Sequence, residues 1–236
     1  MRNLLLLSNS TNHGQGYLDH AMVEVRGLVG GAKRLLFVPF ALHDRAAYAA
    51  KARARFAAEG IEVDALTANA VGRRLLASAE AVFVGGGNTF RLLKTLQDSD
   101  LLGPLRRRVR DGLPYLGASA GINIVCPTIK TTNDMPIVQP ASFEALGIVP
   151  FQINPHYLDP DPGSRHMGET REDRIREFLE ENDVAVVGLR EGAWLRVEGD
   201  GGQVGGAASA RVFRRGRAPE ELATGASLAA LLSAGS

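Results

Sequence analysis

Ser119 sits in Gly117-Ala118-Ser119-Ala120-Gly121, between the apolar runs Pro114-Tyr115-Leu116 and Ile122-Asn123-Ile124-Val125-Cys126. Strand, sharp turn and helix in that order, with Gly-x-Ser-x-Gly at the turn, is the setting of a nucleophile elbow. The glycines have a steric reason: Cβ atoms would clash where strand turns into helix, and the serine is held in a strained backbone conformation. The turn lifts the hydroxyl above the sheet and aims the Ala120 amide at the space where an oxyanion would form.

A serine hydroxyl is a weak nucleophile until a base takes its proton, and the usual base is a histidine oriented by a carboxylate. The chain has five histidines. His13 lies in a polar turn, His20 in a helical stretch and His43 in a short loop. His156 ends the strand-like run Phe151-Gln152-Ile153-Asn154-Pro155 and is the best-placed base, because strand ends form the active face of such sheets. His166, in a Gly/Pro-rich loop, is second choice. For the carboxylate, the segments between serine and histidine offer Asp134 in Thr132-Asn133-Asp134-Met135-Pro136 and Glu144 in a surface segment. Asp159 and Asp161 follow the histidine in turn-like sequence. The order Ser119, Asp134, His156 is chemically sound, since triads are defined by geometry and not by chain order. Gly85-Gly86-Gly87-Asn88 has two readings: backbone amides that cradle a phosphate, or a second oxyanion donor. It lacks the Lys-Ser/Thr ending of a P-loop and the spacing of a dinucleotide fingerprint.

The elements that must position these residues are legible from periodicity. Strands are expected at Asn3 to Ser8, Arg34 to Phe40, Val63 to Leu66, Ala81 to Val84 and 114–118. Helices are expected at Gly16 to Val29, Asp44 to Glu59, Arg73 to Ala79 and from Thr89. The alternation implies an α/β, three-layer, mainly parallel, doubly wound sheet with helices on both faces. Asp183 to Leu189, Ala193 to Glu198, Gln203 to Ala207 and Ala210 to Phe213 read as a β extension of the same sheet. No linker or repeat divides the chain, so one domain over 1–236 is expected.

Composition excludes other classes. With 27 basic against 26 acidic residues, no field exists to gather nucleic acid or an anionic membrane. Cys126, the single cysteine, allows neither an intrachain disulfide nor a cysteine metal site, and its apolar surroundings suggest a buried core thiol. The apolar run at Leu4 to Leu7 is too short for a signal h-region or a membrane span, so a cytoplasmic protein is expected.

Several segments, in order, resemble the peptidase E family of α-aspartyl dipeptidases. They are Leu5-Leu6-Leu7-Ser8-Asn9-Ser10-Thr11, Val84-Gly85-Gly86-Gly87-Asn88-Thr89-Phe90, the serine turn, Cys126-Pro127-Thr128-Ile129, Thr132 to Val138, Gln152-Ile153-Asn154-Pro155-His156, Gly168-Glu169-Thr170-Arg171 and Gly188 to Trp194. The resemblance implies a fold like the glutaminase domains of class I amidotransferases. It also implies a serine peptidase that cleaves short peptides with N-terminal aspartate and uses no metal or organic cofactor. By motif position Ser119 would be the nucleophile, His156 the base and Asp134 its orienting carboxylate, with Gly87 and Ala120 amides as oxyanion donors. The substrate carboxylate needs a cation, for which Arg171 is the candidate. Asn88, Thr89 and His166 are further candidates for lining the site. Ala118 departs from the family, where tryptophan is common. Monomer and dimer both remain open. Two rivals use the same residues: a cyanophycinase-like exopeptidase, and a binding module holding a small molecule at the glycine turn.

Overall fold

The computed structural model describes residues 1–161, 163, 165 and 167–233. In chain order the first half holds β1 (Asn3–Leu7), α1 (Met22–Val29), β2 (Arg34–Val38), α2 (Arg45–Ala57), β3 (Glu62–Ala65), α3 (Ala70–Ser78), β4 (Val82–Val84), α4 (Thr89–Asp98), α5 (Leu102–Arg110), β5 (Tyr115–Ala118) and α6 (Ala120–Asn123). The second half holds β6 (Gln152–Pro155), α7 (Arg171–Glu181), β7 (Val186–Leu189), β8 (Ala193–Glu198), β9 (Gly201–Gly206), β10 (Ala210–Phe213), β11 (Glu220–Leu222) and α8 (Ala229–Leu232).

The larger sheet has seven strands in the order β3-β2-β4-β5-β1-β8-β9. Its first five are mutually parallel, while β8 and β9 pair antiparallel beyond β1. Alternation along β1 divides its apolar run between the two faces. Leu4 and Leu6 join one core with residues of α3, α4 and α5, whereas Leu5 and Leu7 join the other with residues of α1 and α2. The architecture is therefore α/β with a mainly parallel sheet covered on both faces.

The strands after the serine turn differ from expectation. β6, β7, β10 and β11 form a second, four-stranded sheet, so only β8 and β9 extend the first. Gly205 packs under the Trp194 ring, where any Cβ would lie 2.1 Å from it. The helix expected from Gly16 starts later. Leu18 is fully buried at φ 64°, outside the helical region, and only a 3₁₀ turn at Asp19–Ala21 precedes α1. The α2 start agrees closely: the Asp44 side chain accepts from the Ala47 amide as N-cap.

Because β1, β2, β4 and β5 are parallel, their carboxyl ends share one edge, and the loops leaving them converge there. No helix among the described residues is long and apolar enough to cross a membrane.

Phe83, on the strand that delivers the glycine turn, is fully buried with ring centroids 5.1 Å from Phe37, 6.0 Å from Phe56 and 6.4 Å from Tyr17. Phe83→Ala should lower the unfolding free energy by about 3–5 kcal/mol in urea denaturation, through lost contacts and a cavity that these rings cannot close.

Candidate active site

Ser119 stands between β5 and α6 with φ 51° and ψ −112°. A non-glycine residue there carries strain of order 1–3 kcal/mol, which the surroundings must hold in place. They do so through close backbone packing. A Cβ on Gly121 would lie 2.2 Å from the Val84 carbonyl oxygen, and one on Gly117 would meet the Gly121 oxygen at 2.9 Å. Tyr115 Oη closes the turn by donating to the Gly121 carbonyl at 2.6 Å. Ala118 is fully buried in the core beside α1 and α2.

His156 Nε2 lies 2.9 Å from Ser119 Oγ, and His156 Nδ1 lies 2.7 Å from Glu191 Oε1. A carboxylate can only accept, so the proton sits on Nδ1 and Nε2 is left to accept from the serine hydroxyl. The histidine partner is thus Glu191 and not Asp134. The pairing of the second sheet explains why: β6 and β7 run parallel with Pro155 opposite Leu189, so the residues just beyond each strand become neighbours. His156 itself has φ 53°. Ser8, fully buried at the end of β1, holds it: Ser8 Oγ accepts from the His156 amide at 2.9 Å and donates to the Leu189 carbonyl at 2.8 Å. Next to it, Asn9 Oδ1 accepts from the Gly192 amide at 2.8 Å, which fixes the turn carrying Glu191. Neither Ser8 nor Asn9 stood out by residue type. Both lie within the opening Leu-Leu-Leu-Ser-Asn-Ser-Thr motif, which is the signal that could have found them.

Asp134 serves the glycine turn instead. Its Oδ2 accepts from the Thr89 amide at 2.7 Å, from Thr89 Oγ1 at 2.6 Å and from Thr132 Oγ1 at 3.1 Å, at the start of α4. Asn88 is the N-cap of that helix, accepting from the Arg91 amide, and its Nδ2 donates to the Met135 carbonyl. Asn88 and Thr89 therefore build the scaffold behind the turn; neither lines the cleft, and the Thr89 side chain is buried. In front of them, Gly87 takes φ 130°, and a Cβ there would meet the Ala41 oxygen at 2.7 Å. A Cβ on Gly86 would lie 3.1 Å from Ser119 Cβ, so this backbone passes directly beside the nucleophile. Ala120 is the first residue of α6, where helix amides lack intrahelical acceptors.

Ser119, His156 and Glu191 open onto a cleft of about 320 Å³, lined also by Asn9, Ser10, Thr11, Tyr17, Leu42, Tyr48, Lys51, Gly86 and Gly87. Arg171 is not among these residues. As the first residue of α7 it faces a separate hollow, with Leu158, Asp159, Pro160, Asp161, Gly168, Glu169, Thr170 and Arg174. Partial burial and the nearby Arg174 lower its pKa below the usual guanidinium value. His166 lies outside the described residues. Cys126 is a free, fully buried thiol, pushed up to about 12 by burial, and takes no part in the site.

A serine on a strand–helix elbow, with its hydroxyl on a histidine that is backed by a carboxylate, defines a serine-type hydrolase. The profile of peptidase family S51 matches residues 4–205. Peptidase E of Streptomyces coelicolor is 60% identical over 98% of this chain and 95% of its own length. A probable alpha-aspartyl dipeptidase of Drosophila melanogaster is 49% identical over 98% of both chains. Among solved structures, a peptidase from an acI-B1 actinobacterium superposes with a TM-score of 0.72 at 20% identity, covering 96% of each chain. The chain belongs to peptidase family S51 and is a serine-type peptidase.

Glu191 and Asp134 should separate in mutagenesis. Glu191→Gln should lower kcat by about 10²–10⁴-fold with little change in Tm, because an amide at this exposed position no longer holds the histidine proton on Nδ1. Asp134→Ala should lower Tm as well as kcat, because it strips three donors of their acceptor at the start of α4. A thiol reagent such as iodoacetamide should leave native activity intact, since Cys126 is both buried and protonated.

Proposed function

We propose that this peptidase hydrolyses dipeptides, and other short peptides, that carry aspartate at the N-terminus. The observation carrying the proposal is the continuous relay Ser119–His156–Glu191, at 2.9 Å and 2.7 Å, opening into a small cleft. The aspartyl preference is supported by the name of the 49% identical Drosophila relative. The single free, buried cysteine suits a reducing compartment such as the cytoplasm as the place of this reaction.

In the first step His156 Nε2 takes the proton of Ser119 Oγ as the oxygen attacks the carbonyl carbon of the first residue. The negative charge that develops on the carbonyl oxygen is received by the amides of Gly87 and Ala120, each contributing roughly 3 kcal/mol to lowering the barrier. Glu191 stabilises the imidazolium through Nδ1. His156 then gives its proton to the departing amine, the C–N bond breaks, and an aspartyl ester remains on Ser119. Water enters, His156 takes its proton, and hydroxide attack on the ester releases aspartate while the proton returns to Ser119 Oγ. The glycine turn is thus read as an oxyanion donor.

Hydrolysis of Asp-Leu, Glu-Leu, Asn-Leu and Leu-Leu tests the proposal. Asp-Leu should be cleaved well above the others, and Ser119→Ala should lower its turnover by about 10⁴-fold or more. Equal cleavage of all four peptides would overturn the aspartyl preference; unchanged turnover by Ser119→Ala would overturn the mechanism.

A further inference from the structure

The carboxylate that backs His156 stands on an exposed turn, and its one hydrogen bond among the described residues is the one to His156 Nδ1. A side chain with a single partner and water around it holds its place only as well as its backbone does. On the C-terminal side that backbone is fixed by Asn9, which accepts from the Gly192 amide at 2.8 Å. On the N-terminal side stands Arg190.

Arg190 is the residue after β7, and only 18% of its side chain is accessible. A guanidinium carries five N–H donors, and here all five are engaged. Nε and Nη2 donate to the two Asp159 oxygens, each at 2.7 Å. Nη1 and Nη2 donate to the two Glu221 oxygens at 3.0 and 2.9 Å, and Nη1 also donates to Ser209 Oγ at 2.7 Å. These partners span the whole second sheet: Asp159 lies on the chain leaving β6, Arg190 ends β7, Ser209 precedes β10 and Glu221 belongs to β11. The guanidinium carbon also lies 5.5 Å from the centroid of the Tyr157 ring. Hydrogen bonds from Arg190 hold both carboxyls below the usual carboxylate range, so both stay charged near neutral pH. Isolated surface ion pairs contribute little, but two bidentate pairs sharing one planar guanidinium impose geometry on both partners. With every donor spent, Arg190 has none left for a substrate.

We propose that Arg190 is a positioning residue for the His156–Glu191 pair. Through Asp159 it ties the turn carrying Glu191 to the chain leaving His156, and through Glu221 it anchors both to β11, so the carboxylate stays against Nδ1. Ser8 joins the same two segments by their backbone, at the His156 amide and the Leu189 carbonyl. Arg190 joins them by side chain, further along each. The proposal rests on the relay Ser119–His156–Glu191 read above.

The test is a double-mutant cycle on kcat and KM, read with whichever dipeptide the parent enzyme cleaves fastest. Arg190→Gln should lower kcat by about 10–100-fold and leave KM within about twofold, since a shift of about 1 Å in a reacting group costs that much. In a Glu191→Ala background the same substitution should cost less than about twofold, because the group it positions is gone. A merely structural role would cost the same factor in both backgrounds. Arg190→Lys should recover little, because an ammonium cannot span two carboxylates as the planar fork does. Asp159→Asn, which keeps the arginine and its Glu221 pair, carries the same cycle should Arg190→Gln fail to fold. In proton NMR the downfield His156 Nδ1 resonance should weaken in Arg190→Gln while the remaining spectrum stays that of the folded protein. Parent-like kcat in both Arg190→Gln and Asp159→Asn overturns the proposal, as does an equal loss in the two backgrounds. Parent-like kcat in Glu191→Ala would overturn the relay itself, a result distinct from either.

Discussion

The hydroxyl of Ser8 ties the two sheets together beside the reacting atoms. The nucleophile leaves the large sheet at the end of β5, whereas the histidine leaves the small sheet at the end of β6. Ser8, at the end of β1, accepts from the His156 amide and donates to the Leu189 carbonyl, so one buried group is satisfied in both directions by the second sheet. Asn9 adds a bond to Gly192. Buried polar groups of this kind are costly when unpaired, which makes the arrangement close to all-or-none. The 2.9 Å approach of serine to histidine is thus set mainly by backbone that is locked across the sheet junction.

Strain is concentrated at the same place. Among the described residues, four that are not glycine take positive φ, and two of them are Ser119 and His156. Each is held by neighbours that cannot yield. Gly121 and Gly117 abut backbone atoms of Val84 and of the turn itself, and the His156 amide is fixed by Ser8. Strained residues at a reaction centre persist only where packing over-determines them. The glycines are therefore constrained by contact distance more than by conformational freedom: at Gly121 even one methyl group would fall inside the radius of a carbonyl oxygen.

Local signals made much of this legible. The short apolar run of β1, the Asp44 cap of α2 and the apolar strand before Ser119 all act over a few residues, and the elements they mark formed as read. The serine and histidine were identifiable because each ends a recognisable strand. What depended on pairing between distant strands was not legible. No short-range pattern tells that β6 and β7 leave the first sheet to form a second, and so none places Glu191 beside His156. A search confined to the sequence between serine and histidine settles on Asp134, which has the right chemistry and sits in a turn. The capping pattern at Asn88 and Thr89 leaves unstated which distant acceptor would satisfy that helix start. Arg171 was named for its place in the Gly-Glu-Thr-Arg segment and for a guanidinium that can bind a carboxylate bidentately; the same segment carries the capping box of Thr170 and Asp173 at the start of α7.

Two carboxylates thus act on one reaction centre by different routes. Glu191 reaches the imidazole directly from an exposed turn, with 59% of its side chain accessible, so water screens its charge and its value lies chiefly in orienting the ring and fixing the tautomer. Asp134 touches neither serine nor histidine. It gathers the Thr89 amide and hydroxyl and the Thr132 hydroxyl, and so anchors the residues that follow Gly87. A backbone amide can stabilise a developing oxyanion only if it is already aimed, because reorienting it during the reaction would consume the energy it supplies. On this reading the exposed carboxylate governs the proton and the enclosed one governs the backbone. The two demands could not be met from one position, since the relay must open to substrate while the turn must be tied into the core.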